Sequence, residues 1–244
     1  MANLSVVVAA TLIVASCGSA DGVAQIQVSA ASSLSDVFAD LEVAFEDANP
    51  GTDVVLNLGG SSLLREQILA GAPIDVFASA GMEIMEEVEA AGLTEGEIDV
   101  FAVNHIEIAV PPGNPAGIVG LEDFDRDDLF LGLCAAEVPC GRLALQSFRV
   151  AGVNPTPDTN EPNVRSLLTK IEAGELDAGV VYATDVIAGE VDGIAIPSDV
   201  LSSSNYPVGR IVGSPNPTGA ADFIAFMFTD EGKRILLSHG FQSP

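Results

Sequence analysis

Residues 26–62 read IQVSAASSLSDVFADLEVAFEDANPGTDVVLNLGGSS. The stretch opens with a short strand at 26–29. From Ser33 the apolar residues Leu34, Val37, Phe38, Leu41 and Phe45 recur at the i, i+3, i+4, i+7 spacing of a helix packed on a sheet. A second strand follows at 54–58. Gly59-Gly60-Ser61-Ser62 then turns it into a second helix that runs through Ala70 and stops at Gly71 and Pro73. Strand, helix, strand, helix is the order that a helix-covered parallel sheet satisfies.

The alternation continues outward from this unit. Strands are predicted at 74–78, 106–110, 129–134 and 178–182. Helices are predicted at 82–91, 140–149 and 164–173, the first ended by Gly92 and the last by Gly174. Two more helices close the chain at 219–228 and 230–239. The expected fold is α/β with two lobes, a mostly parallel sheet in each, and a cleft between them. Lobe one is expected at 24–104 plus 212–244 and lobe two at 105–211. The chain would cross near 104–106 and return near 206–211.

Composition removes several function classes. Nine basic and 35 acidic residues among 244 give a net charge of −26. Binding a phosphate backbone needs a basic stripe to release counterions, so nucleic acid is excluded as a partner. An anionic lipid surface is disfavoured for the same reason. The 48% hydrophobic content and mean hydropathy of +0.39 exclude disorder. Two His and three Cys are too few for a dense zinc site or a disulfide scaffold. With no Trp and 5% aromatics, stacking platforms for bases or sugars are scarce.

Residues 1–16, MANLSVVVAATLIVAS, carry no charge and are too short for a spanning helix, so they read as a signal h-region. Val14-Ala15-Ser16-Cys17 resembles a lipobox, in which Cys17 would be acylated and become the new N-terminus. The plainer alternative is a buried Cys near an ordinary cleavage site. Residues 1–23 are assigned to this signal peptide and set aside. If Cys17 carries lipid, Cys134 and Cys140 remain, an even pair and a candidate disulfide in an oxidising compartment. Two reduced, half-buried thiols are the alternative.

Four places share a turn of small residues before a helix start. They are Ala31-Ser32-Ser33, Gly59-Gly60-Ser61-Ser62, Val138-Pro139-Cys140-Gly141 and Glu161-Pro162-Asn163-Val164. A helix start leaves N–H groups unpaired and carries partial positive charge, so it can hold an anion without Lys or Arg. Each alone also fits an ordinary cap, as Ser33 with Asp36 three residues on illustrates. Convergence of several in one cleft would separate the two readings.

The order of these segments carries a resemblance. Ala30-Ala31-Ser32-Ser33-Leu34, Gly59-Gly60-Ser61-Ser62 and the run Gln67-Ile68-Leu69-Ala70-Gly71-Ala72-Pro73-Ile74-Asp75-Val76-Phe77-Ala78-Ser79-Ala80 are followed by Glu137-Val138-Pro139-Cys140-Gly141, Asn163-Val164-Arg165 and Gly179-Val180-Val181-Tyr182. In this order they resemble the molybdate-binding proteins of ABC importers, over about residues 24–243. The resemblance implies a periplasmic-binding-protein fold and a site of two Ser hydroxyls, one Tyr hydroxyl and backbone N–H groups. On this chain these match Ser33, Ser61, Tyr182 and the N–H groups of Cys140 and Val164. Molybdenum would be held as molybdate, or tungsten as tungstate, through the same residues. Position 140 is Ala in some members, a change that leaves a backbone donor in place. The implied partners are the oxyanion and a membrane permease, with no cofactor and no catalysis. The protein would work as a monomer, exported to the periplasm or the outer face of the cytoplasmic membrane.

The chemistry of the residues agrees with that reading. A fully ionised tetrahedral oxyanion offers only acceptors, so its site should offer only donors. Exposed negative charge beyond about 8 Å is screened at physiological salt. Arg65, Arg142 and Arg165 lie near these helices. Arg142 and Arg165 could lend charge to the site, a solvated Arg being the plainer role. A rival enzyme reading would use Ser33 or Ser61 with His105 or His239, but no G-x-S-x-G elbow surrounds either Ser. A regulator would need a basic helix-turn-helix before the α/β region. Among other ligands, sulfate is the nearest alternative. Protonated phosphate wants an acceptor in its site, and ferric ion wants more Tyr and His ligands than this chain has.

Overall fold

The structure, a computed structural model, describes residues 23–244. The signal segment and Cys17 lie outside the described residues. In chain order the strands are β1 (Ala24–Ala31), β2 (Thr52–Gly59), β3 (Val76–Ala78), β4 (Thr94–Val110), β5 (Leu131–Cys134), β6 (Thr159–Glu161), β7 (Ala178–Tyr182), β8 (Asp192–Ile194) and β9 (Ser203–Ile211). The helices are α1 (Ser35–Ala48), α2 (Ser61–Leu69), α3 (Met82–Ala90), α4 (Pro139–Ala151), α5 (Val164–Glu172), α6 (Ala183–Ala188), α7 (Pro217–Met227) and α8 (Asp230–Ser238).

The predicted parallel strands are present in each half. β1 pairs in parallel with β2 and β3, and β5 with β6 and β7. Two long strands make the whole sheet mixed. β9 is antiparallel to β3 and β4, and β4 is antiparallel to β7 and β8. The strand order is β2-β1-β3-β9-β4-β7-β5-β6. β4 pairs with β9 up to His105 and with β7 from Ile106, so one continuous strand serves both halves. Within the 105–211 span, Val208–Arg210 pairs with β3 and so lies in the first sheet.

Local sequence hid these two strands for identifiable reasons. The start of β4 is acidic, with Glu95, Gly96, Glu97 and Asp99 exposed and no alternation, and its register against β9 slips between Glu95 and Asp99. β9 contains Pro207, which argues against an interior strand. Pro207 sits where the register slips again, between Val100 and Ala102, and so costs no regular ladder bond.

The helix expected from Ser33 begins later. Ser32–Leu34 forms a 3-10 turn and α1 starts at Ser35, whose Oγ donates to the Ser32 carbonyl at 2.6 Å. No side chain caps α1, so Ser33 and Asp36 are not its cap. The Val37, Phe38, Leu41 and Phe45 stripe is buried, with Phe38 and Phe45 edge-on to Phe223 of α7. Asp75, fully buried, joins three segments: it accepts from the Gln27 N–H at 2.7 Å, the Ser214 hydroxyl at 2.5 Å and the Asn216 N–H at 2.7 Å. The Asp of the Gly-Ala-Pro-Ile-Asp-Val-Phe run therefore ties β1 and β3 to the start of α7. Among the described residues no helix is long and apolar enough to cross a membrane.

Candidate functional site

Ser33, Ser61, Cys140, Val164 and Tyr182 all line one small cavity between the two halves of the sheet. Two come from turns after β1 and β2, two from the starts of α4 and α5, and one from the end of β7. The cavity is tight, with about 10 Å³ of free volume, the space one water molecule needs. No Asp, Glu or His is among its lining residues. His239 instead pairs with Asp40 at 2.8 Å, and neither it nor His105 reaches the cavity. The nucleophile–base geometry of the enzyme reading is therefore not formed.

The helix starts are left open toward this space. α2 and α4 have no side-chain cap, and Pro139 at the first turn of α4 has no N–H to satisfy. At α5 the Asn163 side chain caps Ser166 N–H at 2.9 Å and leaves the Val164 N–H free. A single cap per helix leaves several donors and the positive end of the dipole available.

Hydrogen bonds around the cavity set the direction of its hydroxyls. The Ala80 N–H donates to Ser61 Oγ at 3.0 Å, so the Ser61 proton is free to point at a ligand. Ser33 Oγ lies 2.9 Å from the Tyr206 hydroxyl. The Tyr182 hydroxyl makes a long contact, 3.5 Å, with the Ala80 carbonyl and faces the Tyr206 hydroxyl. Burial raises the pKa of Tyr182 against the pull of the Tyr206 hydrogen bond and of Arg142, and Asp185 and Glu83 add to the rise. Burial likewise raises Tyr206. Both phenols stay protonated at physiological pH and remain donors.

A close approach brings the two halves together. A Cβ on Gly60 would stand 2.8 Å from the Pro162 carbonyl oxygen. Gly60 has φ −61 and ψ 132, which any residue adopts, so its lack of a side chain answers the approach and not the backbone. Ser62 Oγ also reaches across, donating to the Glu137 carbonyl at 3.0 Å. The Cys134–Cys140 disulfide closes the loop that presents the Cys140 N–H, with Cα atoms 5.8 Å apart.

Behind the cavity, Arg165 pairs with Asp36 of α1 and lies 4.0 Å from Asp185 of α6. Asp185 Oδ2 accepts the Tyr182 N–H at 3.2 Å, while its Oδ1 is buried with no partner. Burial pushes this carboxyl up to about 7 against the attraction of Arg165 and the Tyr182 N–H, and Asp36 and Glu172 push it further. Sequence reasoning did not single out Tyr206, Asp185 or Ala80 as supports of the site. The spacing Tyr182 to Asp185 is the Ncap–N3 interval of a capping box, and that signal would have found Asp185. Tyr206 of β9 and Ala80 in the bend after β3 are distant in sequence from the hydroxyls they meet and leave no local signal.

Residues 26–242 match the family of bacterial extracellular solute-binding proteins. The molybdate-binding protein ModA of Mycobacterium tuberculosis is 34% identical over 229 residues, covering 93% of this chain and 88% of its own length. The periplasmic molybdate-binding protein of Azotobacter vinelandii superimposes with a TM-score of 0.80 at 18% identity, covering 90% of this chain and 99% of that chain. The sulfate-binding protein SubI of M. tuberculosis gives 0.79 at 16% identity, covering 90% and 87%. At those identities the two structures speak to the fold, and the extent of the family match speaks to descent: the chain belongs to the bacterial extracellular solute-binding proteins.

Proposed function

We propose that this protein is the solute-binding subunit of an ABC importer and captures molybdate or tungstate outside the cytoplasmic membrane. The observation that carries the reading is the cavity lined by Ser33, Ser61, Cys140, Val164 and Tyr182 with no carboxylate among its lining residues. Hydroxyls and N–H groups suit a dianion that offers only acceptors. The name of the 34% identical relative supports the same ligand. The protein does no covalent chemistry. It closes on the anion and presents itself to a membrane permease. Cys17, acylated after signal cleavage, would tether it as a monomer at the outer face of the membrane.

Size decides among tetrahedral dianions. Mo–O and W–O bonds are nearly equal and both exceed S–O. A cleft closed for the larger ions holds sulfate with stretched hydrogen bonds, which weaken steeply with distance. Several such losses together give orders of magnitude, since about 1.4 kcal/mol is tenfold. Calorimetric titration with molybdate and tungstate, repeated with sulfate in excess, tests the reading. Tight binding of the first two with little effect of sulfate is expected. Displacement of molybdate by sulfate at comparable concentration would make the protein a sulfate-type binder.

A further inference from the structure

A second, larger cavity of about 560 Å³ adjoins the small one, sharing Ala80 and Pro139 with it. Arg142, on α4 two residues past Cys140, lines it. Its Nη1 donates to the Glu137 carbonyl at 2.8 Å, the same oxygen that Ser62 Oγ reaches from the other half. The guanidinium is thus held at the seam between the Ser61–Ser62 turn and the Cys140 helix start. Its Nη2 is buried with no hydrogen-bond partner.

Arg149 also lines the larger cavity without an ion-pair partner among the described residues, but it is exposed to solvent, and the cations on the far side of the small cavity are already neutralised. On the opposite side of the small cavity, Arg165 is paired with Asp36 and Lys170 with Glu161 at 2.5 Å. Glu83 lines the same cavity as Arg142, and among the described residues no carboxylate lies within ion-pair distance of Arg142. Distant surface charge is screened, so a cation held beside the site is felt by the ligand more than the net charge of the chain is.

We propose that Arg142 is the specificity-determining charge of the site, favouring doubly over singly charged tetrahedral oxyanions by acting through space on the ligand. The inference rests on the oxyanion reading of the cleft. Arg142 is near enough to the Tyr182 hydroxyl to oppose, with Tyr206, the rise that burial imposes on it. Coulomb energy is linear in ligand charge, so one cation contributes twice as much to a dianion as to a monoanion of the same shape.

Tungstate and perrhenate are near-isosteric tetrahedral ions carrying two charges and one, and they separate charge from fit. Arg142→Gln keeps a donor for the Glu137 carbonyl and removes the charge. Tungstate affinity is measured by calorimetry and perrhenate by competition against bound tungstate, in the parent and in Arg142→Gln and Arg142→Lys. The expected result is a loss of roughly a hundredfold for tungstate and about tenfold for perrhenate, with Lys restoring most of the ratio. An equal loss for both ions assigns Arg142 a purely structural role and overturns the inference, as does unchanged tungstate affinity. A parent protein that binds neither ion overturns the oxyanion reading itself, and this inference with it.

Discussion

The Ser33 hydroxyl and the Tyr206 hydroxyl lie 2.9 Å apart, both buried, on residues 173 positions apart in the chain. When Tyr206 donates to Ser33 Oγ, the Ser33 proton is released toward the cavity, as the Ala80 N–H does for Ser61. Ser33→Ala and Ser61→Ala should each weaken oxyanion binding, since a lost hydrogen bond to a charged partner costs roughly 1.5–3 kcal/mol, or ten- to a hundredfold. Tyr206→Phe should weaken it less. In the double mutant Ser33→Ala/Tyr206→Phe the losses should fall short of additive, because Tyr206 acts through Ser33. Calorimetry on the four proteins decides it, and full additivity would break the proposed link.

Gly60 tests closure separately from folding. A Cβ at this position would stand 2.8 Å from the Pro162 carbonyl oxygen of the other half and would keep the halves from approaching this closely. Gly60→Ala should raise the dissociation constant for molybdate at least tenfold while leaving the melting temperature of the ligand-free protein within a few degrees. A large drop in ligand-free stability would mean the approach is part of the resting fold.

Asp185 gives the stability curve a specific pH dependence. Its carboxyl stands near 7 in the fold against an ordinary 3.8, so between those values the folded chain holds a proton that the unfolded chain has lost. Its contribution is therefore greatest below about pH 4 and falls as pH rises to about 7. Asp185→Asn still accepts the Tyr182 N–H and avoids burying a charge. It should be more stable than the parent at pH 8, by up to roughly 4 kcal/mol, and lose that advantage at pH 4. Denaturant unfolding at both pH values reads the difference; an equal effect at the two would remove titration of Asp185 as its cause.

The disulfide should matter to both stability and binding. A six-residue separation closes a short loop, and losing such a link costs about 2 kcal/mol in chain entropy. Replacing both Cys134 and Cys140 with Ser should lower the denaturation midpoint and weaken molybdate binding, because the loop presents the Cys140 N–H. Gly141→Ala should be harsher, since its Cβ would stand 2.0 Å from the Ala135 carbonyl oxygen. Retained affinity in the Ser double variant would show that the loop needs no staple.

Sequence alone determined what depends on neighbours along the chain. The apolar stripe Val37, Phe38, Leu41, Phe45 fixes a helix on a sheet, and Gly59-Gly60 or Val138-Pro139 fixes a helix start, because these rest on local periodicity and backbone freedom. The order of the motifs was enough to nominate Ser33, Ser61, Cys140, Val164 and Tyr182. Tertiary structure decided what depends on distant partners. Only strand pairing revealed that β4 runs unbroken from Thr94 to Val110, since an acidic, irregular strand is stabilised by β9 and not by its own pattern. Only packing brought Tyr206 to Ser33, Ala80 to Ser61 and Asp185 behind Tyr182. The physical reason is that a hydroxyl's direction and a cation's lack of a partner are set by atoms far away in sequence, which no local spacing encodes.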